Sequence, residues 1–348
     1  MIEQKTKTAV IILNWNGLKW LQQFIPILEK NTASTDADLI VADNASTDQS
    51  LNYLRKNHSR IQIIELDDNY GFAEGYNRAI EQVSHPYTIL LNSDVEVTKD
   101  WVLPLIHQLE QSERIVACQP KIKDFYNKDY FEYAGASGGF IDYLAYPFCR
   151  GRIFDTLEKD QQQYDTPISI FWATGACLAI KTNVYKEVGG LDSEFFAHME
   201  EIDMCWRLKS RDYDIYAVPE SVVYHVGGGT LSKISPQKTY LNFRNNLLIL
   251  YKNLPSKQLY KILLIRLLLD GIAGLKFLVS GQISHTFAIL KAHFHFYTTK
   301  HRFKPKRLNN LKSIQRINIP EIYSKSIIWE YFVKKKSKYS LLQFLSVV

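Results

Sequence analysis

The 348-residue chain predicts an α/β fold: a mixed, mostly parallel sheet with flanking helices, continued by a helical, basic C-terminal extension. Three observations lead there. Over the first 120 residues, short β-rich apolar runs alternate with helical stretches of about a dozen residues. A composition that is 46% apolar and 22% charged suits a large core and excludes disordered, collagen-like and disulfide-stapled chains. Charge, finally, is divided unevenly. Residues 1–230 hold 21 Lys/Arg against 33 Asp/Glu, whereas residues 231–348 hold 21 against 3. That contrast suggests two units with different partners, drawn here as 1–255 and 256–348.

Ala9–Leu13 reads as a buried strand and Leu18–Lys30 as a helix. Asp38–Ala42, Ile61–Leu66 and Tyr87–Leu91 are further strands, and Gln49–Lys56, Gly71–Val83 and Trp101–Gln111 the helices between and after them. Residues 121–170 lose this periodicity, and the polar stretch Glu158–Tyr164 reads as a mobile surface loop. Order returns at Ile168–Ile180, followed by a helix ending near Gly189–Gly190. His198–Arg211 is another helix, Asp214–Val218 and Val222–His225 are two short strands, and Tyr240–Leu254 is an amphipathic helix.

In parallel sheets, ligands bind beyond the carboxyl ends of the strands. Those ends are polar here: Asn14–Gly17, Asp43–Asp48, Asp67–Gly71 and Asn92–Asp94. One such loop is ordinary turn and cap chemistry. Four on one edge outline a pocket rich in hydrogen-bonding groups. Asp94 is placed to hold a divalent cation against a diphosphate, since hard cations prefer oxygen ligands; a helix cap is the alternative. No GxxxxGK[ST] or GxGxxG loop follows the first strand to bind phosphate instead.

Further on, Asp203 and Arg207 are spaced as an i, i+4 ion pair. Glu201 falls on the stripe of Met204, Cys205 and Leu208, where desolvation would raise its pKa toward the general-base range. His225 precedes Val226–Thr230, whose glycines suit a hinge; it is either a packed residue or a ligand. Cys118, Cys149, Cys177 and Cys205 form no CxxC pair or Cys/His cluster, so buried free thiols in a reducing cytosol are expected.

Together these residues resemble the inverting family 2 glycosyltransferases of GT-A fold, particularly their bacterial rhamnosyltransferase-like branch. The resemblance is carried by Val10–Gly17, Val41–Asp48, Asn69–Asn77, Leu90–Val95, Thr174–Leu178, Gly189–Arg207 and His225–Thr230. It implies a nucleotide-sugar site made by Asn14, Asn16, Asp43, Asn44, Ser46, Asn69, Gly71, Asn77, Asn92, Ser93, Asp94 and Arg244. It also implies a sugar or acceptor pocket at Trp172, Gly175, Ala176 and Glu200, and a Mg²⁺ or Mn²⁺ ion at Asp94 and His225. Asn92 stands where the family's DXD motif has its first Asp, which implies a weaker hold on the metal. Glu201 stands where the family has the Asp of a Glu-Asp pair, its general base. The implied partners are a dTDP- or UDP-linked sugar, with rhamnose a candidate, and a glycan or polyprenyl-linked acceptor.

The extension is apolar from Leu259 to Leu290, with cationic interruptions, and no uncharged 18-residue run supports a transmembrane helix. Residues 291–348 carry 13 Lys/Arg against 2 acids, with Lys334–Lys336 and Lys338 the densest run. Apolar content beside such charge fits an anionic membrane face better than nucleic acid, for which no module is visible; a solvated tail is the plain alternative. With no signal peptide recognised, the expected location is cytoplasmic, peripheral on the inner face of the cell membrane. Three rivals remain. A nucleotidyltransferase lacks its glycine-rich, Arg-containing N-terminal loop, a non-catalytic sugar-binding protein would explain Asn92, and a nucleic-acid binder would show salt-dependent binding.

Overall fold

A computed structural model describes residues 7–227 and 235–344. The apolar runs become β1 (Thr8–Asn14), β2 (Ala37–Asn44), β3 (Gln62–Leu66) and β4 (Tyr87–Asn92). Between them run α1 (Leu18–Thr32), α2 (Ser50–Asn57) and α3 (Gly71–Glu81), followed by β5 (Val95–Val97) and α4 (Val102–Glu110). Strand alternation splits the core in two. Ala9 and Ile11 of β1 join one apolar cluster with Tyr76 and Ile80 of α3. Val10 and Ile12 join the other, with Leu21 of α1, Leu54 of α2 and Leu105 of α4.

After β6 (Ile115–Asp124), the aperiodic region is a small sheet rather than a loop. It begins with β7 (Gly139–Asp142), β8 (Pro147–Cys149), β9 (Arg152–Ile153) and β10 (Thr156–Leu157). Strands this short carry too few residues to display a period of two. Nor is Glu158–Tyr164 a loose loop. Both its ends are buried, the Tyr164 hydroxyl donates to both Glu158 carboxylate oxygens at 3.0–3.1 Å, and Asp160 pairs with Lys121 and Lys123.

Then come β11 (Ile168–Ser169), β12 (Cys177–Lys181), α5 (Thr182–Glu187), α6 (Glu200–Ser210) and β13 (Asp214–His225). The two short strands expected over 214–225 are one, with a register irregularity between Val218 and Val222. The nine-stranded sheet runs β11-β13-β6-β12-β4-β1-β2-β3, with β5 pairing β13. β1 to β4 run parallel, while β12 inserts antiparallel between β4 and β6.

The extension supplies α7 (Pro236–Asn253), α8 (Ser256–Val279), α9 (Ile283–Thr299), α10 (Lys304–Lys312) and β14 (Ile322–Tyr323). Composition places a division at 255, where α8 indeed begins, but the chain beyond it is not detached. β14 pairs parallel with β7 in the small sheet, Tyr323 and Ile327 enter the main apolar cluster, and Lys209 of α6 holds Glu321 at 2.8 Å. Among the described residues, no helix is long and apolar enough to cross a membrane. All four cysteines are free and buried.

Candidate active site

The parallel register brings the strand ends level: Asn14 stands opposite Asp43, and Leu13 opposite Asn92. Asn14, Asp43 and Asn44 are buried, Asn16 and Asn69 are exposed, and these residues hold one another. Asn14 Nδ2 donates to Asp43 Oδ1 at 2.9 Å and to Ser46 Oγ at 3.1 Å, while the Ser46 amide donates to Asp43 Oδ2 at 2.9 Å. The Asn16 side-chain oxygen accepts from the amides of Thr47 and Asp48, at 2.7 and 3.2 Å. Asn44 Nδ2 reaches Asn69 Oδ1 and the Gly71 carbonyl at 2.9 and 3.0 Å, and its oxygen accepts from the Tyr70 amide. Gly71 opens α3 at φ +71°, a left-handed conformation that glycine adopts without strain.

Next to this edge, the Asn92 amide donates to the Ala176 carbonyl at 3.0 Å. Gly175 lies so close to Phe72 that a Cβ there would meet the ring at 2.9 Å. Cys205 of α6 accepts from the Ala173 amide at 3.5 Å, and Glu201 sits one turn earlier on the same helix face. The 173–176 turn therefore lies between the strand ends and the start of α6.

Three of the four residues leading into α6 are left-handed without being glycine: Phe196 (φ 65°), His198 (φ 67°) and Met199 (φ 75°). Such conformations cost about 1–3 kcal/mol each and persist only where the surroundings impose them. The clamp is Asn245 of α7, whose amide donates to the carbonyls of Phe195, Ala197 and His198 at 2.7–3.1 Å. Behind the loop, Asp203 is fully buried between Arg207 (3.0 Å) and Lys252 (2.7 Å). The spacing-based Asp203–Arg207 pair is thus part of the helix anchor.

The two carboxyls this loop presents are in an unusual state. Desolvation raises the Glu201 carboxyl to about 7. It raises Glu200 well above the ordinary carboxylate range too, with the charge of Glu201 adding to the effect. One oxygen of each has no protein partner, and neither does His198 Nε2. Burial, with Lys238 contributing, depresses His198 to about 4, so its imidazole is neutral. Buried polar atoms are nearly always hydrogen-bonded, so three unpartnered ones at one loop mark a place for a ligand.

On the other flank, His225 Nε2 lies 3.2 Å from Asp94 Oδ1, and its Nδ1 lies 3.5 Å from Glu132 Oε2. Desolvation opposes a charge on His225, but the carboxylates of Glu132 and Asp94 outweigh it and hold the imidazole at about 10. Only after loss of the Nε2 proton could that nitrogen, with the Asp94 oxygen beside it, take adjacent positions on one hard or borderline cation, with diphosphate and water completing the set. Among the described residues no group of three or more His, Cys, Asp or Glu forms a complete metal cage. Gly228–Thr230 of the expected hinge lie outside the described residues.

Three expected residues are engaged in contacts within the chain. Trp172 is a core side chain: its indole N–H is satisfied by the Phe140 carbonyl at 3.0 Å, and the ring covers Gly139. Asn77 spends its amide on Leu191 and Tyr185, bracing the turn after α5. Arg244 donates to the carbonyls of Glu194 and Phe195 at 3.0 Å, so it clamps the α6 loop beside Asn245. Ser93 remains at the edge, near Gly17. Conversely, Glu132, His198 and Asn245 were not legible as site residues. Glu132 lies in the aperiodic region, and only its place between two basic side chains in space singles it out.

Comparison with known proteins agrees with this geometry. Residues 9–189 match the model of the glycosyl transferase family 2. The chain is 23% identical, over 62% of its length and 75% of the relative's, to an N-acetylglucosaminyl-diphospho-decaprenol L-rhamnosyltransferase of Mycobacterium tuberculosis. Among solved structures it is similar to GalNAc-T7 with UDP, GalNAc and Mn²⁺ (TM-score 0.56, 17% identity, 73% of this chain), though it spans only 49% of that protein. It is also similar to a mannosyltransferase of Pyrobaculum calidifontis in complex with GDP-Man and Mn²⁺ (TM-score 0.52, 14% identity, 89% and 85% coverage). At these identities the structures speak to the fold, which is GT-A.

Proposed function

The chain belongs to glycosyl transferase family 2, and from that premise we propose that it moves a sugar, with inversion, from a nucleotide diphospho-sugar to a hydroxyl of a glycan or polyprenyl-linked saccharide. The observation that carries this reading is Glu201: a desolvated carboxyl held near neutrality, with an unpartnered oxygen, at the mouth of a polar strand edge. As an acceptor oxygen attacks the anomeric carbon, Glu201 takes its proton. The bond from that carbon to the diphosphate oxygen breaks, and the nucleoside diphosphate leaves. Glu200, its carboxyl also raised by burial and by the charge of Glu201, would offer a hydrogen bond to the sugar or acceptor in its protonated form.

Asp43, Asn44 and their network of Asn14, Asn16, Ser46 and Asn69 form the nucleoside side of the cleft, and Asn92–Asp94 the diphosphate side. Asp94 and His225 would hold a Mg²⁺ or Mn²⁺ ion, which supplies positive charge against the developing diphosphate. The donor is a dTDP- or UDP-sugar, with rhamnose the candidate by analogy with the mycobacterial relative. A polyprenyl-linked acceptor would be met at a membrane, which the basic C-terminal region is suited to approach from the cytoplasmic side. The test is a panel of nucleotide sugars, with and without Mg²⁺ or Mn²⁺, scored for nucleoside diphosphate release. Release by one donor that metal stimulates and that Glu201→Gln abolishes is expected. Undiminished release by Glu201→Gln would remove Glu201 as base.

A further inference from the structure

Helix α8 is apolar on both sides: Leu259, Ile262 and Leu263 are buried against the fold, and a second apolar row faces outward. Its inward face carries Arg266 and Asp270, both 1% exposed: Arg266 Nε donates to Asp270 at 3.3 Å, and His293 of α9 contacts Asp270 at 3.0 Å. Its outward face carries Leu264, Leu268, Ile272 and Leu275, 59–64% exposed and spaced three to four residues apart along a helix about 36 Å long. Helix α9 repeats the arrangement, with Phe287 and Phe294 66% and 73% exposed and His285 and His293 buried. A helix whose outer side meets only water carries polar residues there.

We propose that the outward faces of α8 and α9 insert into the surface of an anionic lipid bilayer, the hairpin lying in the membrane plane. This rests on the membrane contact suggested above and adds apolar insertion to what charge alone would do. The apolar face is bordered by exposed Lys261, Lys276 and Lys291, and Asp270, facing inward, is the one acid of residues 221–320. A lysine-rimmed patch without acids complements lipid phosphates. In a two-fold dimer the same patch would oppose itself, lysine against lysine. Trp329, 57% exposed, and Phe332, under Lys276 at 5.4 Å, extend the rim with the aromatic–cationic mixture that suits a headgroup layer. The hairpin also touches the site: Ala288 and Ala292 of α9 share an apolar cluster with Ala197, in the loop that leads to Glu200 and Glu201. A lipid-borne acceptor would thus arrive beside the catalytic loop.

The test is co-sedimentation of the whole chain with vesicles of phosphatidylglycerol and phosphatidylcholine, at low and high salt, which requires no turnover. Wild type should pellet in part even at high salt. The variants Leu264→Glu/Leu268→Glu/Ile272→Glu and Phe287→Ser/Phe294→Ser, at exposed positions and with unchanged melting temperatures, should bind more than about tenfold more weakly. Binding that salt abolishes and both variants retain would overturn insertion while leaving surface contact. No binding by wild type would overturn both. A wild-type dimer that the variants turn into monomers, without vesicle binding by either, would assign the face to a second copy instead.

Discussion

A carboxyl such as Glu201 becomes a useful base only if something makes its proton worth holding, and here that is burial at the start of α6 beside Glu200 and the neutral His198. A base must be deprotonated to act, so transfer should fall about tenfold per pH unit below about 7 and level off above it. An acid limb near the ordinary Glu value of 4.5 would contradict the desolvated state. Stability changes in the opposite sense. The folded-state pKa is raised, so this carboxyl's share of stability is whole below about 4.5 and is lost as pH rises through about 7. Glu201→Gln should therefore be about 3 kcal/mol more stable than wild type at pH 8 and equal to it near pH 4, by denaturant titration. Asn245 acts one step removed, as a positioning residue. Asn245→Ala deprives three backbone carbonyls of a donor, which costs about 2–3 kcal/mol and releases the strained loop. A loosened loop hydrates Glu201, so the acid limb should move below 7 as well as the maximal rate falling. A purely structural role would lower the rate and leave the limb in place.

At the scale of elements, α6 and α7 share the main apolar cluster and are also joined through buried charge. Lys252 sits between Asp192 (2.6 Å) and Asp203 (2.7 Å), and Asn253 donates to Asp203 at 2.9 Å. Burial alone would raise the Asp192 pKa, but Lys252 and Lys306 outweigh it and hold the carboxyl far below its usual range. Lys252→Met leaves two buried carboxylates short of their cation and should cost about 3–5 kcal/mol at pH 7. Because the folded pKa is lowered, that stabilisation exists above the unfolded value of 3.8 and fades as pH falls below it. The wild-type and variant stability curves should therefore draw together below pH 4; a constant gap would place the effect in packing. The elements differ in how plainly the sequence shows them. β1 to β4 and α1 to α4 are long enough to display their periods, and their polar ends fall at the anticipated edge, with Asn14, Asp43 and Asn92 level. The small sheet is not legible, because strands of two to four residues carry no period and β14 pairs with β7 from nearly two hundred residues away. For the same reason the core packing of Trp172 is not legible. Its indole partner, Phe140, belongs to that unseen sheet.

For the whole molecule, the division between acidic body and basic extension is partly a device of assembly. Arg316 reaches Asp212 and Asp214, Lys306 reaches Asp192, and Glu321, one of the extension's three acids, neutralises buried Lys209. Part of the extension's positive charge is thus spent on the body, while exposed Lys261 and Lys276 lie on α8 itself beside its outward leucines. Cutting the chain after residue 255 would do more than remove a membrane contact. It would strip β14 from the edge of β7, take Tyr323 from against Phe148, and leave Lys209 buried without its nearest carboxylate. An uncompensated buried ammonium costs several kcal/mol, comparable with a whole domain's net stability of about 5–15 kcal/mol. Residues 1–255 alone should show no cooperative urea transition and should aggregate, whereas the full chain carrying the α8 substitutions should unfold like wild type. A sharp transition in the truncated chain, with nucleotide binding intact, would mean that the body folds first and that the extension only docks upon it.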